Sequence, residues 1–315
     1  MKINVCFLTD DGYVMPTCVA LSSMIANKKG KNFYSVYLLC INVTENNLCK
    51  LKELNRPDFE INIIELNDKY SENYYMKNTS ATPAAIYKFN IPEILKDIDK
   101  IIYLDGDIIV SKDLEELYNY DLNNNYIGAV KDVNGLLKRH YNLFIKNNIF
   151  YFNSGVMLMN LKEMRKNNIS KSLIDYRNNG YNELMDQDAL NYVLKDKTIE
   201  LPFKYNVQTM FKNINKTPNQ IKKYYNLNND YDSFDKMVED SVVLHYSPKI
   251  KPWKSDNGYK FDLWKHYYNL SPYKDENYNY NQKKSMEKNI FQKIVTIFKN
   301  IRRLMFLMNF KKKEK

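Results

Sequence analysis

Between Ile3 and Leu104 this 315-residue chain alternates short apolar, β-branched runs with helical patterns, which restricts its fold more than any other feature. Ile3–Leu8, Tyr34–Cys40, Glu60–Leu66 and Ile101–Leu104 read as strands. Val14–Asn27 reads as a helix, and Thr44–Leu54 as another with Thr44 as its cap. Thr82-Pro83 has the cap-then-proline start of a helix running to about Lys96. This βαβαβ order predicts an α/β fold with a mainly parallel sheet and helices on both faces. Ligands of such sheets bind beyond the carboxyl ends of the strands. The second half is less regular. Tyr126–Val130, Gly155–Asn160 and Ser241–His245 read as strands, Asp186–Leu194 as a helix, and 212–236 as a helix-and-loop excursion.

The strand at 101 runs into IIYLDGDIIV, where an apolar run ends in Asp105-Gly106-Asp107 and resumes as Ile108-Ile109-Val110. Two carboxylates are expensive to bury without a counter-charge. Residues two apart in an extended chain point to the same side, so Asp105 and Asp107 could share one ligand. Gly106 lets that ligand approach the backbone. Hard oxygen donors suit Mg²⁺ or Mn²⁺, above all a cation that also carries phosphate. A solvated turn between two strands accounts for the pattern equally well, and both readings stand open. Asp10-Asp11 follows the first strand and would share the same rim of the sheet.

Composition removes several classes. The chain is 44% hydrophobic and 14% aromatic, as globular domains are, and no apolar run reaches the length of a membrane span. MKINVCFLTDD turns acidic too early for a secretory signal, so none is expected. Cys6, Cys18, Cys40 and Cys49 lack CxxC spacing and fall in patterns of buried strands and helices, as reduced thiols of a cytoplasmic protein would. There are eight glycines and neither a GxGxxG nor a GxxxxGK[ST] loop, which argues against a nicotinamide dehydrogenase or a P-loop NTPase. The net charge of +10 resembles that of a nucleic-acid binder. Residues 283–315, however, hold eleven Lys/Arg against two Glu, a net +9 that leaves +1 for the rest. The charge belongs to a tail, and no nucleic-acid partner is expected.

Several further segments carry chemistry or simple capping. His245, at a strand end in VVLHYSPKIKPW, could complete a metal shell or be a hydrogen-bonded core histidine. Lys251 could neutralise a phosphate or be a solvated lysine. For the polar residues of FNSGVMLMN (152–160) and ELMDQDALN (183–191), capping is a sufficient explanation.

Taken in order, strand-DD, LDGD, FNSGV, MDQDALN and HYxxxxKPW resemble glycosyltransferase family 8, the retaining sugar-nucleotide transferases, from about Ile3 to Trp264. The resemblance implies a GT-A fold, a Rossmann-like mixed sheet flanked by helices, with a UDP-sugar donor and Mn²⁺. It implies Asp105, Asp107 and His245 as metal ligands. It implies Asp10 at the uridine, Tyr13 near the base and Lys251 at the diphosphate. Asp132, Asn153, Asp186 and Gln187 would surround the donor sugar, with Gln187 nearest its reactive face. Three positions depart from the family's pattern. Gly12 replaces an Asn. Lys88, at the substrate site, replaces an Arg and so keeps the charge without the bidentate fork. Pro248 replaces a Gly whose N–H would face a phosphate.

The implied reaction moves a glucose or galactose from the UDP-sugar to a glycan or lipid-linked acceptor, in surface polysaccharide or lipopolysaccharide synthesis. Gln187 is a poor nucleophile and Asp186 a more chemical one. The absence of an evident well-placed carboxylate favours front-face attack over double displacement. A sugar-1-phosphate nucleotidyltransferase would need a glycine-rich N-terminal loop that TDDGYVMPT does not supply. A non-catalytic basic membrane-binding protein is the other rival. The chain is expected to comprise a catalytic unit at 1–270 and a linker and tail at 271–315. In that tail Ile290, Ile294, Ile297, Ile301, Leu304, Met305 and Met308 follow a helical rhythm. A basic amphipathic helix at 285–315 would attach a cytoplasmic protein peripherally to the inner, anionic face of the membrane, each Lys/Arg contributing about 1 kcal/mol. Packing on the body or a second subunit is the alternative.

Overall fold

A computed structural model describes residues 1–66, 87–137, 150–179, 185–213, 216–228, 231–247, 250–256 and 258–274. The start of the helix expected from Thr82, Pro248, and the tail beyond Lys274 lie outside the described residues.

Among the described residues the main sheet has seven strands in the order β3-β2-β1-β4-β7-β6-β8. They span Lys2–Asp10 (β1), Phe33–Ile41 (β2), Phe59–Leu66 (β3), Lys100–Leu104 (β4), Ile127–Lys131 (β6), Phe152–Asn160 (β7) and Thr198–Glu200 (β8). β3, β2, β1 and β4 run parallel, β7 runs antiparallel to β4 and β6, and β8 is parallel to β6. The sheet is therefore mixed, as GT-A sheets are. Alternate residues of β1 enter different cores: Ile3, Val5 and Phe7 pack on one face, Cys6 and Leu8 on the other. Burial on both faces is why this strand reads as an almost unbroken apolar run. Each such fully buried side chain contributes about 1.5–3 kcal/mol.

The helix α1, Val14–Asn27, covers the first face and matches its expected span. The helix Phe261–Tyr268 lies over it, tied by Asn27 donating to the Tyr267 hydroxyl at 2.7 Å. The helix α2 runs Glu45–Lys52. Thr44 stands at its N-cap, but its hydroxyl donates to Asp11 instead of capping. Cys6, Cys18 and Cys40 are buried as expected; Cys49 is exposed, because it lies on the outer side of α2. The helix expected up to Lys96 ends at Ile94. The physical reason is Arg165, which donates to the carbonyls of Pro92, Leu95 and Ile98 and pairs with Asp99. The polar stretch expected as a linker from Ser271 begins packed on the body. Tyr273 is buried and donates to Asn47 of α2.

A second, three-stranded sheet positions the site. Its strands are β5 (Ile108–Val110), β9 (Val207–Gln208) and β10 (Val243–His245), in the order β5-β10-β9. The pairing sets His245 opposite both Ile108 and Gln208. The histidine thus arrives beside the Asp-Gly-Asp turn through backbone register, from far along the sequence.

Arg165→Met should lower stability by about 1–3 kcal/mol, since it strips charged donors from three carbonyls. An unchanged urea midpoint would count against this role.

Candidate active site

The site lies where β4, β6 and β8 end and β7 begins. The Asp105 N–H continues the β4–β7 ladder by donating to the Gly155 carbonyl at 2.8 Å. Its carboxylate accepts from the Tyr103 hydroxyl at 2.7 Å and lies 3.4 Å from the Lys88 ammonium. Lys88 is buried, pairs with Asp186 at 2.7 Å, and rests over the Tyr103 ring. Burial acts to lower the Lys88 pKa, but Asp105 and Asp186 outweigh it and raise it above the ordinary lysine value. Asp186 also accepts from the Ser154 hydroxyl at 3.1 Å.

Asp107 is likewise enclosed, only 8% exposed. One of its oxygens meets Lys251 at 2.6 Å, and the other faces His245 Nε2 at 3.3 Å. Burial pushes its pKa upward, yet Lys251 and His245 together hold the carboxyl well below the usual range. Lys251 is oriented by donating also to the Tyr246 carbonyl. Tyr13 contacts Trp253 edge-on with ring centroids 5.8 Å apart. Burial first, then the charges of Asp107, Asp105 and Asp10, push the Tyr13 phenol up to about 12.

A buried amide network occupies the other half. Asn153 donates to Asp132 at 3.0 Å and to the Gln187 side-chain carbonyl at 3.3 Å. Gln187 in turn donates to Asp132, and its carbonyl accepts from the Ser154 N–H. These residues turn inward from β7 and the helix Met185–Leu194 rather than serving as simple caps. Asn191 clamps both backbone groups of Phe152 and so locks this helix to β7.

Nine residues singled out in the sequence therefore form one neighbourhood: Lys88, Asp105, Asp107, Asp132, Asn153, Asp186, Gln187, His245 and Lys251. Asp10 sits at the end of β1 on the same rim and accepts from the Tyr13 N–H, starting a short 3-10 turn. Asp11 instead accepts from Thr44 and Asn47. Sequence reasoning missed Tyr103, Ser154 and Asn206. Asn206 and Gln208 alternate with apolar residues in KYNVQ, a period-two signal that marks two buried polar side chains on one face.

Ligand atoms of Asp105, Asp107 and His245 lie within 4.8 Å of one another. Two carboxylates and an imidazole nitrogen suit a borderline-hard divalent cation. Gly155 supplies the clearance. A Cβ there would lie 2.4 Å from His245 Cε1 and 2.7 Å from an Asp105 carboxylate oxygen. At Gly106 a Cβ would meet the Thr17 hydroxyl at 2.5 Å, which ties the turn closely to α1.

Residues 4–257 match the family model described as glycosyl transferase family 8. General stress protein A of Bacillus subtilis (strain 168) is 29% identical over 280 residues, covering 86% of this chain and 90% of that protein. Lipopolysaccharide 1,2-glucosyltransferase of Escherichia coli (strain K12) is 26% identical over 263 residues, 80% of this chain and 72% of that enzyme. The galactosyltransferase LgtC, solved with donor and acceptor sugar analogs, has a TM-score of 0.70 at 22% identity, covering 85% of this chain and 96% of that one. At that identity the likeness is one of fold, the GT-A architecture. No helix among the described residues is long and apolar enough to cross a membrane.

Gly155→Ala is expected to keep the fold but weaken Mn²⁺ binding by about 10-fold or more, as misplaced ligand geometry does. Titration followed by electron paramagnetic resonance, with circular dichroism as the fold control, measures both.

Proposed function

The chain belongs to glycosyl transferase family 8, and from that premise we propose that it is a retaining hexosyltransferase. It moves glucose or galactose from a UDP-sugar to a glycan or lipid-linked acceptor in surface polysaccharide synthesis. The observation that carries this reading is the convergence of Asp105, Asp107 and His245, with Lys251 on the same carboxylate. The name of the E. coli relative supports glucose as a donor sugar and lipopolysaccharide as an acceptor class.

Asp105, Asp107 and His245 would hold Mn²⁺, with Mg²⁺ the alternative. The bound cation supplies charge stabilisation to the departing diphosphate. Lys251 adds a positive charge beside Asp107, where the diphosphate charge gathers. Asp10 and Tyr13 serve the nucleoside end. Lys88 acts differently from a phosphate-facing cation: it neutralises Asp105 and Asp186 from beneath and holds both in place. Asp132, Asn153 and Gln187 orient the sugar hydroxyls.

Retention requires the acceptor oxygen to reach the face that the leaving group vacates. The anomeric carbon–phosphate oxygen bond breaks, the bond to the acceptor oxygen forms, and the acceptor's proton passes to the leaving phosphate. This front-face route is supported by the engagement of the two nucleophile candidates singled out in the sequence. Asp186 is paired with Lys88 and Ser154, and the Gln187 carbonyl accepts from Ser154 and Asn153.

Residues 1–270 form the catalytic unit in this reading, and 271–315 a linker and basic amphipathic tail. The tail would bring a cytoplasmic enzyme to the anionic inner face of the cell membrane.

The wild type is expected to release UDP from UDP-glucose or UDP-galactose only with Mn²⁺ present. Asp107→Asn should lose at least about 100-fold of that rate, as removal of a main electrostatic group does. Intact-mass spectra during turnover should show no sugar adduct on the enzyme. Failure to bind any UDP-sugar with Mn²⁺ would sink the transferase reading, and an adduct on Asp186 the front-face route.

The tail is tested by sedimentation. A protein lacking 285–315 should keep its donor hydrolysis but stay in the supernatant with anionic liposomes, while the full chain pellets. Equal pelleting of the two refutes membrane attachment through this segment.

A further inference from the structure

Asn206 lies between the two halves of the site, fully buried, and the chemistry above gives it no task. Its amide joins the metal seat to the sugar-binding residues. We propose that Asn206 is a positioning residue whose side-chain oxygen accepts from a protonated Nδ1 of His245 and so directs Nε2 at the cation seat beside Asp107.

The inference follows from the direction of each hydrogen bond, starting at Asp132. A carboxylate only accepts, so the amide nitrogen of Asn153 must face it, as it does at 3.0 Å. The Asn153 oxygen therefore points the other way. It accepts from the Gly155 N–H at 3.1 Å and from the Asn206 amide nitrogen at 2.9 Å. Turning Asn206 over would set two carbonyl oxygens against each other. Its own oxygen is thus aimed at His245 Nδ1, 3.1 Å away. An acceptor at that distance requires Nδ1 to donate. The remaining ring nitrogen, Nε2, faces the Asp107 carboxylate at 3.3 Å.

Two amides thereby pass the polarity of Asp132, on the sugar side, to the imidazole on the metal side. Asn206 sets both the tautomer and the ring orientation, the usual task of a group behind a metal-ligating histidine. β9 supplies it because Gln208 pairs in register with His245, which brings the preceding residues of that segment alongside.

The inference rests on the reading of His245 as a metal ligand, and the experiment separates the two. Long-range ¹H–¹⁵N correlation spectra of the metal-free enzyme report whether Nδ1 of the ring carries a proton. His245→Gln identifies the resonance among the three histidines. The wild type should show the Nδ1–H form. Asn206→Leu should lose that preference and weaken Mn²⁺ binding by about 10–100-fold. Asn206→Asp keeps an acceptor toward Nδ1 but turns a second oxygen on Asn153 Oδ1, so it should keep the Nδ1 proton without restoring the wild-type Mn²⁺ affinity. A wild-type Nδ1 without a proton overturns the proposal even if no variant folds. So does a folded Asn206→Leu protein with the wild-type tautomer. If His245→Gln binds Mn²⁺ as the wild type does, the ligand reading fails, and with it the tie from Asn206 to the metal.

Discussion

Burying the carboxylate of Asp107 is the condition on which the rest of the site depends. An isolated charge in so enclosed a position would cost several kcal/mol. Lys251, 144 residues away in sequence, meets it at 2.6 Å, and His245 faces its other oxygen. Neither would be there without the second sheet. β10 pairs with β5, and the Tyr246 N–H donates to the Asp107 carbonyl, so main-chain bonds carry His245 to the aspartate. The same turn delivers Lys251 through its bond to the Tyr246 carbonyl. Replacing this arrangement by apolar residues would often be neutral or stabilising for a purely structural ion pair. Its presence at a strand end, beside Asp105, fits a site organised for a ligand rather than for stability.

Lys88 solves the same problem for the other carboxylates. It is as enclosed as Asp107, yet Asp186 at 2.7 Å and Asp105 at 3.4 Å keep it charged. Its remaining contacts are the carbonyl and hydroxyl of Ser154. A lysine offers a compact point charge with three donors, whereas an arginine would present a planar fork. The compact head can sit between two carboxylates and a backbone carbonyl at the base of the site. The departure from arginine at this position therefore has a geometric counterpart in the contacts of Lys88 with Asp105, Asp186 and Ser154.

Much of this was legible before the coordinates. α1 was legible to the residue because its buried face, Val14 through Met24, is an almost continuous apolar and small-residue stretch. β1 and β2 were legible because both faces of each are buried. The Asp-Gly-Asp turn stood out because charge interrupts an apolar strand. The second sheet was not predicted as a sheet, since its strands have three, two and three residues, too few for a periodicity to register. Ser154 and Asn206 were missed for a different reason. Ser154 is one hydroxyl in a polar turn, and the alternation of Asn206 and Gln208 with apolar residues marks burial but not partners; only tertiary contact shows what each side chain bonds. The same limit applied to Asp186 and Gln187, whose place at a helix start was sufficiently explained by capping until Lys88 and Ser154 came into contact with them.

The charges of the connected network close the argument. Asp105, Asp107 and Asp186 face Lys88 and Lys251, and Asp132 joins them through the amide network, so four carboxylates meet two ammonium groups, a net of two negative charges. One divalent cation brings that count to zero, and a monovalent one does not. On the proposed reading, a nucleoside diphosphate would add negative charge beside Lys251, which is already shared with Asp107. Its ammonium would then have to serve both anions. The strength of nucleotide binding and of cation binding at such a site cannot be independent, because each supplies the charge that the other lacks. Coupling of that kind follows from the carboxylates' burial alone.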